Sequence, residues 1–177
     1  YYCHMPGIKV VAPSFPADYR TLLKAAIADP NPVLFLEHKR TYRLIKQDVA
    51  AAQGETQLGK SRITRRGGDL TIYAYGLMLH ESLAAADALA GESIECTVVD
   101  LLTLNPLDRE TILEAAKATG KVLIVHEDTL TGGLGGEIAR SSPAASAGGR
   151  RPARRAPERI SSTKRPRIAA SPRRSSS

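Results

Sequence analysis

From residue 8 to residue 140, short runs of β-branched and aliphatic residues alternate with stretches of helical periodicity, and this alternation constrains the fold more than any single motif. Residues 8–13, IKVVAP, form a compact apolar run bounded by Gly7 and Pro13, as expected of a buried strand. Ser14 is placed to cap a following helix, with Pro16 and Asp18 suited to its first turn. Tyr19, Leu22, Leu23, Ala26 and Ile27 then recur at helical spacing and predict one apolar stripe. The prolines of Asp29-Pro30-Asn31-Pro32 end that helix, and PVLFLEHK supplies the next apolar run. Strand, helix and strand in about thirty residues make a βαβ unit, which requires parallel strands and a right-handed crossover.

From Ile45 to Gly68 the periodicity lapses, so this stretch reads as an interdomain connection whose centre, QLGKSRITRRGGD, has room for one short strand. The pair Arg65-Arg66 reads there as surface charge. A second alternation follows. LTIYAYG is a strand, LMLHESLAAADALA a helix with Leu79, Leu83, Ala86 and Ala90 on one face, and IECTVVDLLTL a strand that Pro106 breaks. Asp108 caps a helix that ends at Gly120, and KVLIV is the third strand. This β-α-β-α-β order is enough for a small three-layer α/β domain.

Charge separates the rest of the chain from these units. Residues 1–140 hold 15 Lys/Arg against 17 Asp/Glu, whereas residues 141–177 hold 10 Lys/Arg and the single acid Glu158. The basic balance therefore belongs to the tail, whose Arg, Pro, Ser, Ala and Gly cannot bury enough apolar surface to offset ordering entropy. It reads as disordered. A basic arm of this kind would hold nucleic acid through phosphate contacts. No apolar run reaches the roughly 18 residues needed to span a bilayer. Cys3 and Cys96 lie far apart without metal-ligand spacing, which favours reduced thiols and a cytoplasmic protein. The chain opens on Tyr1, so it reads as a piece of a longer protein.

Residue chemistry alone names no reaction. His4, His38, His80 and His126 lack a second histidine or cysteine at ligand spacing, and there is no nucleophile elbow or HExxH. His80 falls within a helix and reads as a partly exposed helix residue. His126, beside Glu127 and Asp128, stands at the carboxyl end of a strand, where open α/β sheets place ligands, but a hydrogen bond to its own loop accounts for it equally. TGGLGG before a helix has the look of an anion-binding turn. It is neither GxGxxG nor followed by Lys-Ser/Thr, and glycines that let the loop cross a neighbouring subunit explain it as well.

The order of motifs carries more. HMPGIKVVAP, the D-x-NPV turn, VVDLLTLNPLD and HEDTLTGGLGGEIA together resemble the beta subunit of the thiamine-diphosphate-dependent 2-oxo acid dehydrogenases across nearly all of residues 1–140. The resemblance implies the later part of a transketolase-like pyrimidine-binding domain at 1–45, a linker at 46–67, a truncated transketolase C-terminal-like domain at 68–140 and the basic tail at 141–177. It implies thiamine diphosphate held between this subunit and an alpha subunit in an α2β2 assembly, with magnesium on the alpha side and a lipoyl acyltransferase core as acyl acceptor. Lys39 and Tyr42-Arg43 point within the family to the branched-chain type; pyruvate and acetoin dehydrogenases share the domain order. An α/β docking domain with a nucleic-acid-binding tail is a reading of another class.

The family's activating glutamate and its catalytic histidine precede the HxPG motif. His4 belongs to that motif itself, so no catalytic or cofactor-binding residue carries over to this chain. A structural potassium site does, at Ala26, Ile27, Asp29 and Asn31, where unpaired helix-end carbonyls suit a hard cation; a simple turn made by Asp29 and Asn31 is the alternative. In the family the helix after TGGxGxEIA continues with apolar residues. The change of composition after Arg140 is therefore read as translation in a shifted frame.

Overall fold

A computed structural model describes residues 1–47 and 56–142; most of the basic tail, and with it the expectation of disorder, lies outside the described residues. After a 3-10 turn at Tyr2–His4, the first unit comprises β1 (Lys9–Val11), α1 (Pro16–Ala28), β2 (Val33–Phe35) and the short α2 (Thr41–Leu44). β1 and β2 pair in parallel, Lys9 opposite Val33, as the βαβ reading requires. The second unit holds β3 (Arg62–Arg65), β4 (Leu70–Ala74), α3 (Leu77–Ala90), β5 (Cys96–Asp100), β6 (Thr103–Asn105), α4 (Arg109–Thr119), β7 (Val122–Val125) and α5 (Gly135–Ser141). Its sheet runs β3-β5-β4-β7. β4 pairs in parallel with both β5 and β7, and β3 lies antiparallel on β5.

The sheet separates two cores because side chains alternate along each strand. Ile72, Ala74, Cys96 and Val98 face α3, where they meet Leu79 and Ala86. Tyr73 and Val99 face the other way, toward Ile112 and Ala115 of α4 and Ile138 of α5. Helices on both faces make the three layers expected of this unit. The second core also takes in Val10, Ala12 and Leu104, so the two units share one continuous apolar cluster.

That sharing follows from a departure from the sequence reading. IECTVVDLLTL is two strands rather than one: β5 stays in the second sheet, whereas β6 pairs antiparallel with β1 and gives the first sheet the order β2-β1-β6. The chain changes sheets at Leu101-Leu102, where Leu102 has φ +54°. A bulky residue in the left-handed region is disfavoured by about 1–2 kcal/mol. Tertiary bonds hold it there: Leu101 N donates to Ala74 O and Ala12 N donates to Leu102 O, while Leu102 itself is buried.

Two helix details also differ. Ser14 does not cap α1; Phe15 is the N-cap residue, with its backbone N donating to Asp18 Oδ2 at 3.3 Å, and the Ser14 side chain turns toward the second unit. The α1 stripe is only partly covered, for Leu22 is fully buried while Leu23 is 48% and Ile27 78% exposed. Asp108 caps α4 as expected, accepting from Thr111 N at 3.3 Å, and Gly120 ends that helix in the left-handed region. Residues 46–67, read as a connection, contribute β3 from the QLGKSRITRRGGD centre.

Candidate functional site

The carboxyl ends of β2, β4 and β7 converge, so the loops that follow them bring Leu36–His38, Tyr75-Gly76 and His126–Asp128 together. His38 Nε2 lies 2.7 Å from Glu127 Oε2 and ties the first unit to the second. His38 Nδ1 is buried without a partner among the described residues. The His126 ring stacks on Tyr75, with centroids 6.5 Å apart and an interplanar angle of 10°. Burial raises the Tyr75 phenol to about 12, helped by Asp128, Cys3 and Glu127 nearby, so it stays a neutral donor at ordinary pH. Beside it lies an open groove of about 780 Å³ bordered by Cys3, Tyr75, Leu107, Arg109, Leu134 and Glu137.

The TGGLGG loop is organised by its own side chains. Asp128 accepts hydrogen bonds from Thr129 N at 2.8 Å and Leu134 N at 3.3 Å, which hold its carboxyl below the usual carboxylate range. One amide of the glycine loop, that of Leu134, therefore already binds an internal anion. The His126 ring packs over Gly135: a Cβ there would stand 2.3 Å from His126 Nε2, so a side chain at this position would displace the imidazole. His126 Nδ1 accepts from Asp128 N at 3.1 Å, so this histidine makes the loop hydrogen bond that was its alternative reading.

A second polar cluster lies where α1 meets the second sheet. Arg62 donates from Nη1 to Asp18 Oδ1 at 2.8 Å and from Nη2 to Asp18 Oδ2 at 2.7 Å, and also reaches Asp100 Oδ2 at 3.1 Å. Both acids are buried, Asp18 at 1% and Asp100 at 0% exposure. Ser14 Oγ donates to Asp100 Oδ1 at 2.8 Å and accepts from Gly76 N at 3.0 Å. Thr56 Oγ1 donates to Asp18, and the guanidinium lies 5.2 Å over the Phe15 ring. Burial pushes the Asp100 carboxyl up to about 7; Ser14 and Arg62 act against that rise and the Asp18 charge adds to it. None of these three charged residues was singled out from the sequence as a site residue. The available signal was an acid ending the apolar TVVD run and another within the apolar turn of α1.

The expected potassium residues come together at the end of α1. Ala26 and Ile27 lie in its last turn and Asp29 is its C-cap. Asp29 accepts from Asn31 N at 2.9 Å and from Asn31 Nδ2 at 3.0 Å, and its other oxygen is paired with Lys9. The Lys9 bond first, then those from Asn31, lower its pKa to about 2. The ammonium of Lys9 thus already supplies positive charge at this carboxylate. His80, partly buried, directs Nε2 to Ser14 O at 2.8 Å; His4 is exposed in the 3-10 turn. Arg65 is more engaged than a solvated surface charge, pairing with Asp87 and, at 3.0 Å, with Glu95. Among the described residues no three His, Cys, Asp or Glu side chains are grouped to hold a metal ion, and no helix is long and apolar enough to cross a membrane. The polar groups of the loops are largely paired to one another, and no chemical step is assigned to them.

The description Transketolase, pyrimidine binding domain, matches residues 1–45, and Transketolase, C-terminal domain, matches residues 59–168. The chain belongs to the transketolase family. The C-terminal match extends past the composition change at Arg140. Within the family the chain is 50% identical over 138 residues to the 2-oxoisovalerate dehydrogenase subunit beta of Bacillus subtilis, covering 78% of this chain and 42% of the relative. It is 45% identical over 133 residues to the pyruvate dehydrogenase E1 component subunit beta of the same organism, covering 75% and 41%. Identity to the acetoin:2,6-dichlorophenolindophenol oxidoreductase subunit beta of Cupriavidus necator is 46% over 126 residues, covering 71% and 37%. The chain thus spans about two fifths of the length of these curated relatives. Among solved structures it resembles a split-gene transketolase described as an inactive beta4 tetramer, with a TM-score of 0.69 and 32% identity over 79% of this chain and 45% of that one.

Proposed function

We propose that the chain is part of the beta subunit of a 2-oxo acid dehydrogenase, whose complete form oxidatively decarboxylates a 2-oxo acid and passes the acyl group to a lipoyl carrier. The observation that carries this reading is the 50% identity to a 2-oxoisovalerate dehydrogenase beta subunit, sustained across both family units. Lys39 and Tyr42-Arg43 favour a branched-chain substrate, with pyruvate and acetoin as the alternatives. The partners in this reading are an alpha subunit in an α2β2 assembly and a lipoyl acyltransferase core, in the cytoplasm. Thiamine diphosphate would lie between the subunits, with magnesium on the alpha side. Residues 1–177 mixed with a matched alpha subunit, thiamine diphosphate and magnesium are expected to turn over no 2-oxo acid, whereas the complete beta subunit under the same conditions should do so. Failure of the complete subunit with branched-chain, pyruvate and acetoin substrates would refute the reading.

Potassium at Ala26, Ile27, Asp29 and Asn31 belongs to the same proposal. Thermal unfolding is expected at a higher temperature in potassium than in sodium at equal ionic strength, and Asp29→Asn should abolish the difference. For the tail we infer a shifted reading frame from residue 141 onward, supported by the change from a balanced to an arginine-rich composition. Independent sequencing of the coding region should find a single-base change near the codon of Arg140; an intact frame would refute this. Such a basic tail would still hold nucleic acid nonspecifically, in a manner lost at raised salt.

A further inference from the structure

The cluster that joins α1 to the second sheet contains two buried carboxylates and one guanidinium. Asp18 comes from α1, Arg62 from β3 and Asp100 from the end of β5, immediately before the chain crosses between sheets. With both acids ionised the cluster carries a net negative charge on two buried carboxylates that share the guanidinium of a side chain 38% exposed; one added proton makes it neutral. Uncompensated buried charge is the condition that most strongly destabilises such a cluster.

Asp18 takes both strong donors of Arg62 and a further bond from Thr56 Oγ1. Asp100 has one longer bond to Arg62 and one from Ser14, and is completely buried. It is the acid less able to remain charged. The Ser14 hydroxyl can rotate from donor to acceptor, so a proton on Asp100 Oδ1 finds a partner without backbone movement. Among the described residues, the charged groups facing Asp100 are Arg62 of β3 and Asp18 of α1, while His80 of α3 touches the Ser14 carbonyl behind it. No step of the proposed reaction uses these groups.

We propose that Asp18, Arg62 and Asp100 form a proton-dependent clasp between the two units, closed when Asp100 carries a proton and loosened when both acids are ionised. The Asp100 carboxyl is raised in the fold, to about 7, so the folded state binds more protons than the unfolded chain between the two values. The stability it contributes is complete below the unfolded value near 3.9, and is lost as pH rises through about 7. One proton limits the effect to about tenfold in the opening equilibrium per pH unit.

The test is hydrogen exchange on the 177-residue chain between pH 5.5 and 8, expressed as protection factors so that intrinsic exchange rates cancel. Amides of α1 should lose protection severalfold as pH rises, while amides of α3 distant from Ser14 should change little. Asp100→Asn should remove the pH dependence. Asp18→Asn removes the negative charge that raises Asp100 and leaves Arg62 to Asp100 alone, so it should move the loss of protection to lower pH; a move to higher pH would overturn the clasp. His80→Gln should leave the profile intact. Protection of α1 independent of pH in the parent chain would overturn the clasp. So would a profile abolished by His80→Gln, or one unmoved by Asp18→Asn should Asp100→Asn fail to fold.

Discussion

Arg62→Met is expected to destabilise the fold by about 1–3 kcal/mol near pH 8, less than the loss of a partner from a fully buried ion pair, because both acids are buried but the Arg62 side chain is 38% exposed and water screens part of its charge. The reason is specific to this junction. Asp18 and Asp100 are both buried, and without the guanidinium each keeps only neutral donors, Thr56 and the Phe15 amide for Asp18 and Ser14 for Asp100. Methionine retains much of the side-chain volume, so the loss reports charge rather than a cavity. Because protonation of the acids relieves the repulsion, the penalty should be smaller at pH 5 than at pH 8. Urea unfolding at both pH values measures it. A loss under about 1 kcal/mol at pH 8, the range of an exposed pair, would show that water reaches the cluster.

Gly67→Ala should cost about 1–3 kcal/mol, the range for forcing extra volume into a packed site. The added Cβ would stand 2.4 Å from the carbonyl carbon of Glu95 and 2.6 Å from the backbone N of Cys96. Backbone cannot rotate away as a long side chain can. The two strands are further pinned because Gly67 N donates to Thr97 Oγ1 at 2.9 Å and that hydroxyl donates to Gly67 O at 2.6 Å. The β3 edge must then separate from β5 or lose both bonds. Thr97→Val, which removes the bonds without the clash, should have the smaller effect; a reversed order in urea midpoints would mean that the strands give way easily.

The elements themselves were largely legible because their causes are local. Short apolar runs rich in β-branched residues at 9–11, 70–74 and 96–100 became strands, and Asp108 with Gly120 bounded α4 as their capping chemistry requires. Leu101-Leu102 was not legible. The stretch from Ile94 to Leu104 contains no glycine or proline before Pro106, and the positive φ of Leu102 is held by Ala12 and Ala74, which lie far away in sequence. Ser14 misled for the same reason: its type suits a helix cap, yet its hydroxyl found Asp100, 86 residues on. Leu23 and Ile27 have helical spacing, but spacing says nothing of whether a partner surface covers that face.

At the candidate site, the sequence located His126 and the glycine loop at a strand end, and its motif order identified the family. The tertiary structure decided that Asp128 binds the Leu134 amide of the loop, that the His126 ring packs over Gly135, and that His38 meets Glu127 across the two units. It alone disclosed Asp18, Arg62 and Asp100 as one cluster. Periodicity and capping act over a few residues and can be read along the chain. Burial and the sharing of one guanidinium by two distant acids depend on which surfaces meet, and only the folded arrangement determines that.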